Sequence, residues 1–201
     1  MKFCGIPSTI DNDIHGTDYC LGVDTALNII KTSIDAIRDT ASSFKRAFVI
    51  ETMGRDCGYL ALVSHLTSGS ELCLIPEKDC ALEPYEEDFK NQIKNGRRYF
   101  IAIVSEGIKQ DAQEIADWFE EKIGIEARVS ILGHIQRGGN PSIYDRLMAY
   151  KFVSQAIDGL LDSQNNSVIC YGKSGFEFKS ITEVTGQVKE LDTSLLACKI
   201  R

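Results

Sequence analysis

Residues 99–104 read Tyr-Phe-Ile-Ala-Ile-Val, an unbroken apolar run of strand length closed by Ser105-Glu106-Gly107. A strand with one wet face alternates apolar and polar residues. A run without alternation is buried on both faces, the position of a strand in a parallel sheet covered by helices. The rest of the chain agrees with that demand. Residues 2–6, 46–51, 71–75, 125–132 and 168–171 read as further strands, the first cut by Pro7 and the third by Pro76. Helical periods lie between them. Asp24 caps a helix to about Ser42, with Leu27, Ile30, Ile34, Ile37 and Ala41 on one face. Residues 58–67 and 86–95 read as helices, the second with acids in its first turn. Asp111 with Glu114 opens a helix bearing Ile115, Trp118, Phe119 and Ile123 and closed by Gly124. Ser142 caps a long helix through Leu161, residues 163–167 are a polar connection, and the tail after 171 shows no clear pattern. Alternating β and α units predict an α/β fold, a mostly parallel sheet flanked by helices.

Composition narrows the class. A chain of 201 residues can bury a substantial core as one large or two small domains, and 43% hydrophobic with 25% charged residues is ordinary for a globular protein. The formal net charge of -7 argues against a general nucleic-acid-binding surface and leaves room for a local basic pocket. No apolar run is long enough to cross a bilayer, and Met1-Lys2-Phe3-Cys4-Gly5 lacks a signal-peptide core, so a cytoplasmic protein is expected. Seven cysteines are scattered singly at 4, 20, 57, 73, 80, 170 and 198, the pattern of reduced thiols rather than a disulfide framework. Three histidines, none with a ligand-like neighbour in sequence, make zinc unlooked-for.

Chemistry gathers where strands end. Pro7-Ser8-Thr9-Ile10-Asp11-Asn12-Asp13 sets two carboxylates two residues apart in a loop, beside a hydroxyl and an amide. Such a pair can divide labour, one accepting a proton while the other orients a metal or cation; an Asx turn with solvated side chains is the plainer alternative. Gly54-Arg55, Ser105-Glu106-Gly107 and Gly133-His134-Ile135-Gln136-Arg137-Gly138-Gly139 follow other strands. In open α/β sheets ligands bind at such carboxyl ends.

Taken in order, these motifs resemble the 6-phosphofructokinase family. The carriers are Gly5-Ile6-Pro7-x-Thr9-Ile10-Asp11-Asn12-Asp13, Gly16-Thr17-Asp18, Glu51-Thr52-Met53-Gly54-Arg55 with Cys57-Gly58, and Leu132 through Gly139 with Pro141 and Asp145-Arg146. The resemblance implies a Rossmann-like phosphofructokinase fold and transfer of a phosphoryl group from ATP to the 1-hydroxyl of fructose 6-phosphate, a step of glycolysis, with Mg2+ as cofactor. By the same resemblance Asp11 is the catalytic base, Asp13 helps organise sugar and magnesium, Thr9 lies near the transferring group, and Arg55 stabilises charge on it. A surface arginine paired with Asp56 is the alternative for Arg55. Met53 and Gly54 would line the sugar, Glu106 would bond its hydroxyls, and His134 and Arg137 would hold the 6-phosphate. Arg46 and Arg128 match arginines that reach that phosphate from a neighbouring subunit, which implies a homo-oligomer. Planar guanidinium groups suit phosphate oxygens. Arg38, Glu71, Arg97 and Arg98 fall where bacterial relatives bind effectors, although Asn95 stands where a basic residue is common; solvated charges are the alternative.

Two departures shape the expectation. Ser8 stands where ATP-using relatives carry Gly and pyrophosphate-using relatives carry Lys; having no positive charge, it favours ATP over pyrophosphate. The family's N-terminal Gly-rich phosphate loop is not matched here. The expected organisation is therefore a remnant of the nucleotide-binding domain with the catalytic loop (1–21), a sugar-phosphate-binding domain (22–134) and a segment returning to the nucleotide-binding domain (135–201), with apolar surface exposed near the start of the chain. A non-catalytic sugar-phosphate-binding or assembly subunit from a truncated or split gene is the rival reading.

Overall fold

The computed structural model describes residues 2–196. Pro7 has no N–H to give a ladder, and the first strand, β1, is confined to Cys4–Gly5, shorter than the expected 2–6. Helix α1 (Val23–Phe44) buries Ile30, Ile34 and Ala41 on the face its period predicted. Strand β2 (Ala47–Thr52), helix α2 (Tyr59–Ser68) and strand β3 (Leu72–Leu74) follow as expected to within a few residues. Helix α3 (Glu83–Lys94) begins earlier than 86 because Pro84 occupies its first turn, where a missing N–H costs nothing. Strand β4 (Phe100–Ser105) is buried at every position. Helix α4 (Ala112–Trp118) opens on a capping box: the Glu114 N–H donates to Asp111 (2.8 Å) and the Asp111 N–H to Glu114 (3.1 Å). It runs into a wider π-helical turn, Phe119–Ile123, which the apolar spacing did not announce. Strand β5 (Ala127–Ile131), a 3-10 turn (Gly133–Arg137) and helix α5 (Ile143–Leu161) come next. Strands β6 (Ser167–Gly172) and β7 (Gly175–Ser180) and the short helices α6 (Ile181–Thr185) and α7 (Thr193–Leu196) complete the described chain.

These elements form two units. One comprises the chain up to Asn28 with Arg137–Glu190; the other comprises Ile29–Gln136 with the chain from Leu191. In the second, four parallel strands take the order β3-β4-β2-β5. Phe89 of α3 packs its ring edge-on against Phe100 of β4 (4.8 Å) and beside Phe119 (5.3 Å) and Trp118 (6.0 Å). Such edge-to-face pairs add about 0.5–1.5 kcal/mol each beyond their buried area. The first unit holds a three-stranded sheet, β1-β6-β7, with β1 parallel to β6 and β6 antiparallel to β7. Helix α5 buries Met148, Phe152 and Ala156. It comes so close to β7 that a Cβ on Gly159 would lie 2.1 Å from the Phe178 ring. Its outward side exposes Ile143 (87%), Tyr150 (75%), Ile157 (53%) and Leu161 (76%). Exposed apolar surface in this unit is thus concentrated on α5, more than on Phe3 (45%) near the start.

The six described cysteines are free thiols, and Cys198 lies outside the described residues. No described helix is long and apolar enough to cross a membrane. On α2, the His65 Nδ1 lies 2.6 Å from the Ser70 hydroxyl. Burial, helped by the Lys78 charge, pushes His65 down to about 4. Between that value and the ordinary histidine range near 6.5 the unfolded chain binds the extra proton, so stability should fall as pH drops through this window. His65→Gln should flatten that slope in denaturant unfolding followed from pH 7 to 4. An unchanged slope would move the effect to other groups.

Candidate functional site

The acidic turn belongs to the first unit and follows β1. The Asp11 N–H donates to the Thr9 hydroxyl (3.2 Å), a local bond that turns the chain back on itself. Asp11 is 3% exposed, Asp13 is half-buried and Ser8 exposed. Between the two carboxylates, Asn12 is wholly buried and left-handed, at φ 56°. Its Nδ2 donates to the Asp18 carbonyl (3.1 Å), and the Cys20 N–H donates to its Oδ1 (3.1 Å). The Thr17 hydroxyl links the same loop to Tyr171 on β6, accepting that residue's N–H at 3.0 Å. The turn is braced, not a solvated Asx turn.

In the second unit, Met53, Gly54 and Arg55 continue from the carboxyl end of β2, and Glu106 continues from β4 beside it. The Glu106 Oε1 accepts the N–H groups of Gly54 (3.2 Å) and Arg55 (2.9 Å), while the Glu106 N–H donates to the Thr52 carbonyl (2.9 Å). The two strand ends are thereby laced together. Arg55 takes a left-handed conformation (φ 52°) and stays exposed. Gly54, at φ 143°, has no room for a side chain: a Cβ would fall 2.3 Å from the Cys57 carbonyl oxygen. Gly54→Ala should cost about 1–3 kcal/mol in denaturant unfolding, the usual range for imposed backbone strain, and should move Arg55. Wild-type stability in that variant would mean the turn relaxes freely. The Met53 N–H donates to the side-chain carbonyl of Gln136 (3.2 Å), whose amide donates to the Gly133 carbonyl (3.0 Å). Gln136 thus ties the 3-10 turn bearing exposed His134 to the end of β2. Arg137, exposed, opens the stretch counted with the first unit.

Arg46 and Arg128 lie elsewhere in the second unit. Both sit at the amino ends of their strands and share one carboxylate: the Arg46 Nε donates to the Glu126 Oε2 (2.6 Å), and the Arg128 Nη2 pairs with the Glu126 Oε1. Arg46 and Met53 bracket β2, which at roughly 3.3 Å per residue sets their backbones about 23 Å apart. The unit therefore separates these arginines from Met53, Gly54 and Arg55.

Arg38, Glu71 and Arg97 form a third group. The Arg97 Nη2 pairs with the Glu71 Oε1, whose other oxygen accepts the Ile101 N–H (2.7 Å). The Arg38 Nη2 donates to the Ser68 carbonyl (2.7 Å). Burial lowers the Arg97 pKa, and Arg38 adds to that lowering while Tyr99 opposes it. Arg98 is exposed, and Asn95 serves as the C-cap of α3.

Sequence reading assigned no role to Asn12, Gln136 or Glu51. Burial first, then the Glu106 and Asp111 charges, raise the Glu51 carboxyl pKa. Glu51 and Gln136 are polar side chains in an apolar strand and a glycine-rich loop, while Asn12 sits among acids; in each case the role is legible only once partners are known.

The phosphofructokinase family model matches residues 1–160. Among curated relatives, the chain is 72% identical over 197 residues to the ATP-dependent 6-phosphofructokinase of Sulfurimonas denitrificans, covering 98% of this chain and 62% of the relative. It is 60% identical to the protein of the same name from Sulfurovum sp., of which it covers 60%. The chain thus spans about three fifths of these relatives' length. Among solved structures, phosphofructokinase from Saccharomyces cerevisiae superposes with a TM-score of 0.85 at 30% identity, over 92% of this chain and 26% of that one. A pyrophosphate-dependent phosphofructokinase from Marinobacter aquaeolei shares the fold, with a TM-score of 0.80 at 23% identity over 96% of this chain and 55% of that one. With the acidic turn, the Gly54-Arg55 turn and the 133–139 loop all present, the chain belongs to the phosphofructokinase family.

Proposed function

We propose that this chain is the acceptor side of an ATP-dependent 6-phosphofructokinase, serving phosphoryl transfer from ATP to the 1-hydroxyl of fructose 6-phosphate. The observation that carries the reading is the Gly54-Arg55 turn laced to Glu106, in a chain 72% identical to a relative named for that reaction. In the first unit, a remnant of the nucleotide domain, Asp11 accepts the proton of the sugar hydroxyl, with Thr9 beside the transferring group. In the second, the sugar domain, Arg55 offsets charge growing on that group. The backbone of Met53 and Gly54 and the Glu106 carboxylate read the sugar, and His134, followed by Arg137, reads its phosphate. Arg46 and Arg128 serve a neighbouring copy in a homo-oligomer; their distance from Met53 along β2 supports that division. Phosphoryl transfer depends chiefly on position and electrostatic stabilisation, so each of these roles is one of holding a group in place.

ATP is favoured as donor by the names of the relatives and by Ser8, which brings no charge for pyrophosphate. Magnesium is the cofactor of the proposed transfer: such an ion binds through one or two carboxylates together with substrate phosphates and waters, and the half-buried Asp13 carboxylate would help orient it. Among the described residues no three His, Cys, Asp or Glu side chains group to hold a metal on their own, and the roles above route no step through the ion. A cytoplasmic setting follows from the substrates proposed.

The test takes the polypeptide of these 201 residues and measures calorimetric binding of each ligand and turnover in a coupled assay. Weak fructose 6-phosphate binding, negligible ATP binding and little turnover are expected. Supplying the part of the Sulfurimonas relative that this chain does not match, in cis or as a second polypeptide, should raise turnover sharply. Full turnover by the 201 residues alone would remove the acceptor-side reading.

A further inference from the structure

Asp145 lies in the first turn of α5, is 5% exposed, and takes no part in the roles assigned above. Its carboxylate accepts four hydrogen bonds: from the Tyr19 hydroxyl, the Gly22 N–H (2.7 Å), the Thr25 N–H (2.8 Å) and the Thr25 hydroxyl. An ionised carboxylate offers about four acceptor positions, so these neutral donors fill it. Burial alone would raise its pKa. Bonds from Thr25 and Tyr19, with the N–H groups of Gly22 and Thr25, outweigh burial and hold the carboxyl below its usual range. Burial, then the same contact, push the Tyr19 hydroxyl pKa up. Capping α5 does not require this arrangement, because the Ser142 hydroxyl already accepts the Asp145 N–H (3.1 Å).

The donors share a location. Tyr19, Gly22 and Thr25 surround Cys20, whose N–H bonds the Asn12 side chain, and Asn12 also donates to the carbonyl of Asp18, next to Tyr19. The Leu21 N–H adds a backbone tie to the Pro7 carbonyl (2.9 Å), at the other end of the acidic turn. Asp145 and the buried residue between Asp11 and Asp13 are thus hydrogen-bonded to the same short backbone segment, residues 18–25.

We propose that Asp145 is a positioning residue for the acidic turn: it fixes the segment on which Asn12 hangs and, through Asn12, the directions of the Asp11 and Asp13 carboxylates. Its bearing on catalysis rests on the reading of Asp11 as the base; the linkage itself does not.

The test labels the aspartate carboxyls of the 201-residue chain with 13C and follows their titration by NMR, with amide exchange measured alongside. The variants are Asp145→Asn, Tyr19→Phe and Asn12→Gly. Asp145→Asn keeps the shape but leaves one accepting oxygen for donors that filled two. The Asn12 and Asp13 amides should exchange about tenfold faster or more, as expected when charge-assisted bonds are lost locally. The Asp11 titration midpoint should move, while the Ile169 amide on β6 stays as in wild type. Asn12→Gly tolerates the left-handed backbone and cuts the linkage at its far end, so it should reproduce the Asp11 effect, and adding Asp145→Asn should add little. Tyr19→Phe removes one donor without changing charge and should give a smaller effect of the same sign. It also carries the test if Asp145→Asn does not fold. A lowered unfolding midpoint with exchange at 11–13 and the Asp11 and Asp13 titrations unchanged would make Asp145 structural only and overturn the proposal; so would full additivity of the two distant variants. Neither readout uses sugar phosphate, so failure of the kinase reading would leave these results standing.

Discussion

Asp11→Ser, placed in a chain extended to the length of its relatives, is expected to lower turnover by about 10²–10⁴-fold, the range that a positioned proton acceptor supplies. Serine is smaller and accepts a hydrogen bond, but at neutral pH it cannot take a proton from a sugar hydroxyl. The substitution should leave the second unit untouched, since Glu106 still laces Gly54 and Arg55. Fructose 6-phosphate affinity should therefore change far less than turnover. A steady-state assay separates the two: kcat falls and KM barely moves. Near-wild-type turnover would take the base role away from Asp11.

The second large effect is a recovery. Arg128→Ala and Asp11→Ser chains, each of low activity in the extended form, should regain activity when mixed. Arg46 and Arg128 stand at the amino ends of β2 and β5, the end away from Met53, Gly54 and Arg55. If a chain lends these arginines to its neighbour, a hybrid can combine a sound Asp11 from one chain with a sound Arg128 from the other. Random pairing of equal amounts should yield some fully equipped sites. Hybrids shown to form by native mass spectrometry, yet without regained turnover, would rule out sharing.

How much of this was legible beforehand depends on where each residue's partner lies. Continuous apolar runs found β2 and β4 because burial on both faces leaves no other composition. Helix α1 declared itself through five apolar positions on one face, and Asp111 with Glu114 announced a cap whose two halves are three residues apart. The hairpin partner β7 and helix α6 went unread: Phe176 and Phe178 alternate, but over too short a stretch to stand apart from a tail. The π-helical turn after Trp118 has no local signature; the aromatic residues at its start, Trp118 and Phe119, pack on Phe89 of α3. In the candidate site, the motif residues were found by type and order. Asn12, Gln136 and Asp145 were not given work, because each acts on a backbone that only folding brings near: the Asp145 carboxylate and Tyr19 are 126 residues apart in sequence. A polar residue's chemistry is visible in its name; its assignment is written in its neighbours.

By gripping Arg46 and Arg128 together, Glu126 presents two carboxylate oxygens to two guanidinium groups, the arrangement a phosphate would also offer. Arg128 and Glu126 are exposed and Arg46 is half-buried, so the grip is worth only about 0–1 kcal/mol, as for other surface ion pairs. A phosphate ester arriving there would meet arginines already aligned and a rival anion easily displaced. If the pair serves a neighbour's phosphate as proposed, recognition would be an exchange of one anion for another, with little ordering left to do and a preference for the more highly charged visitor.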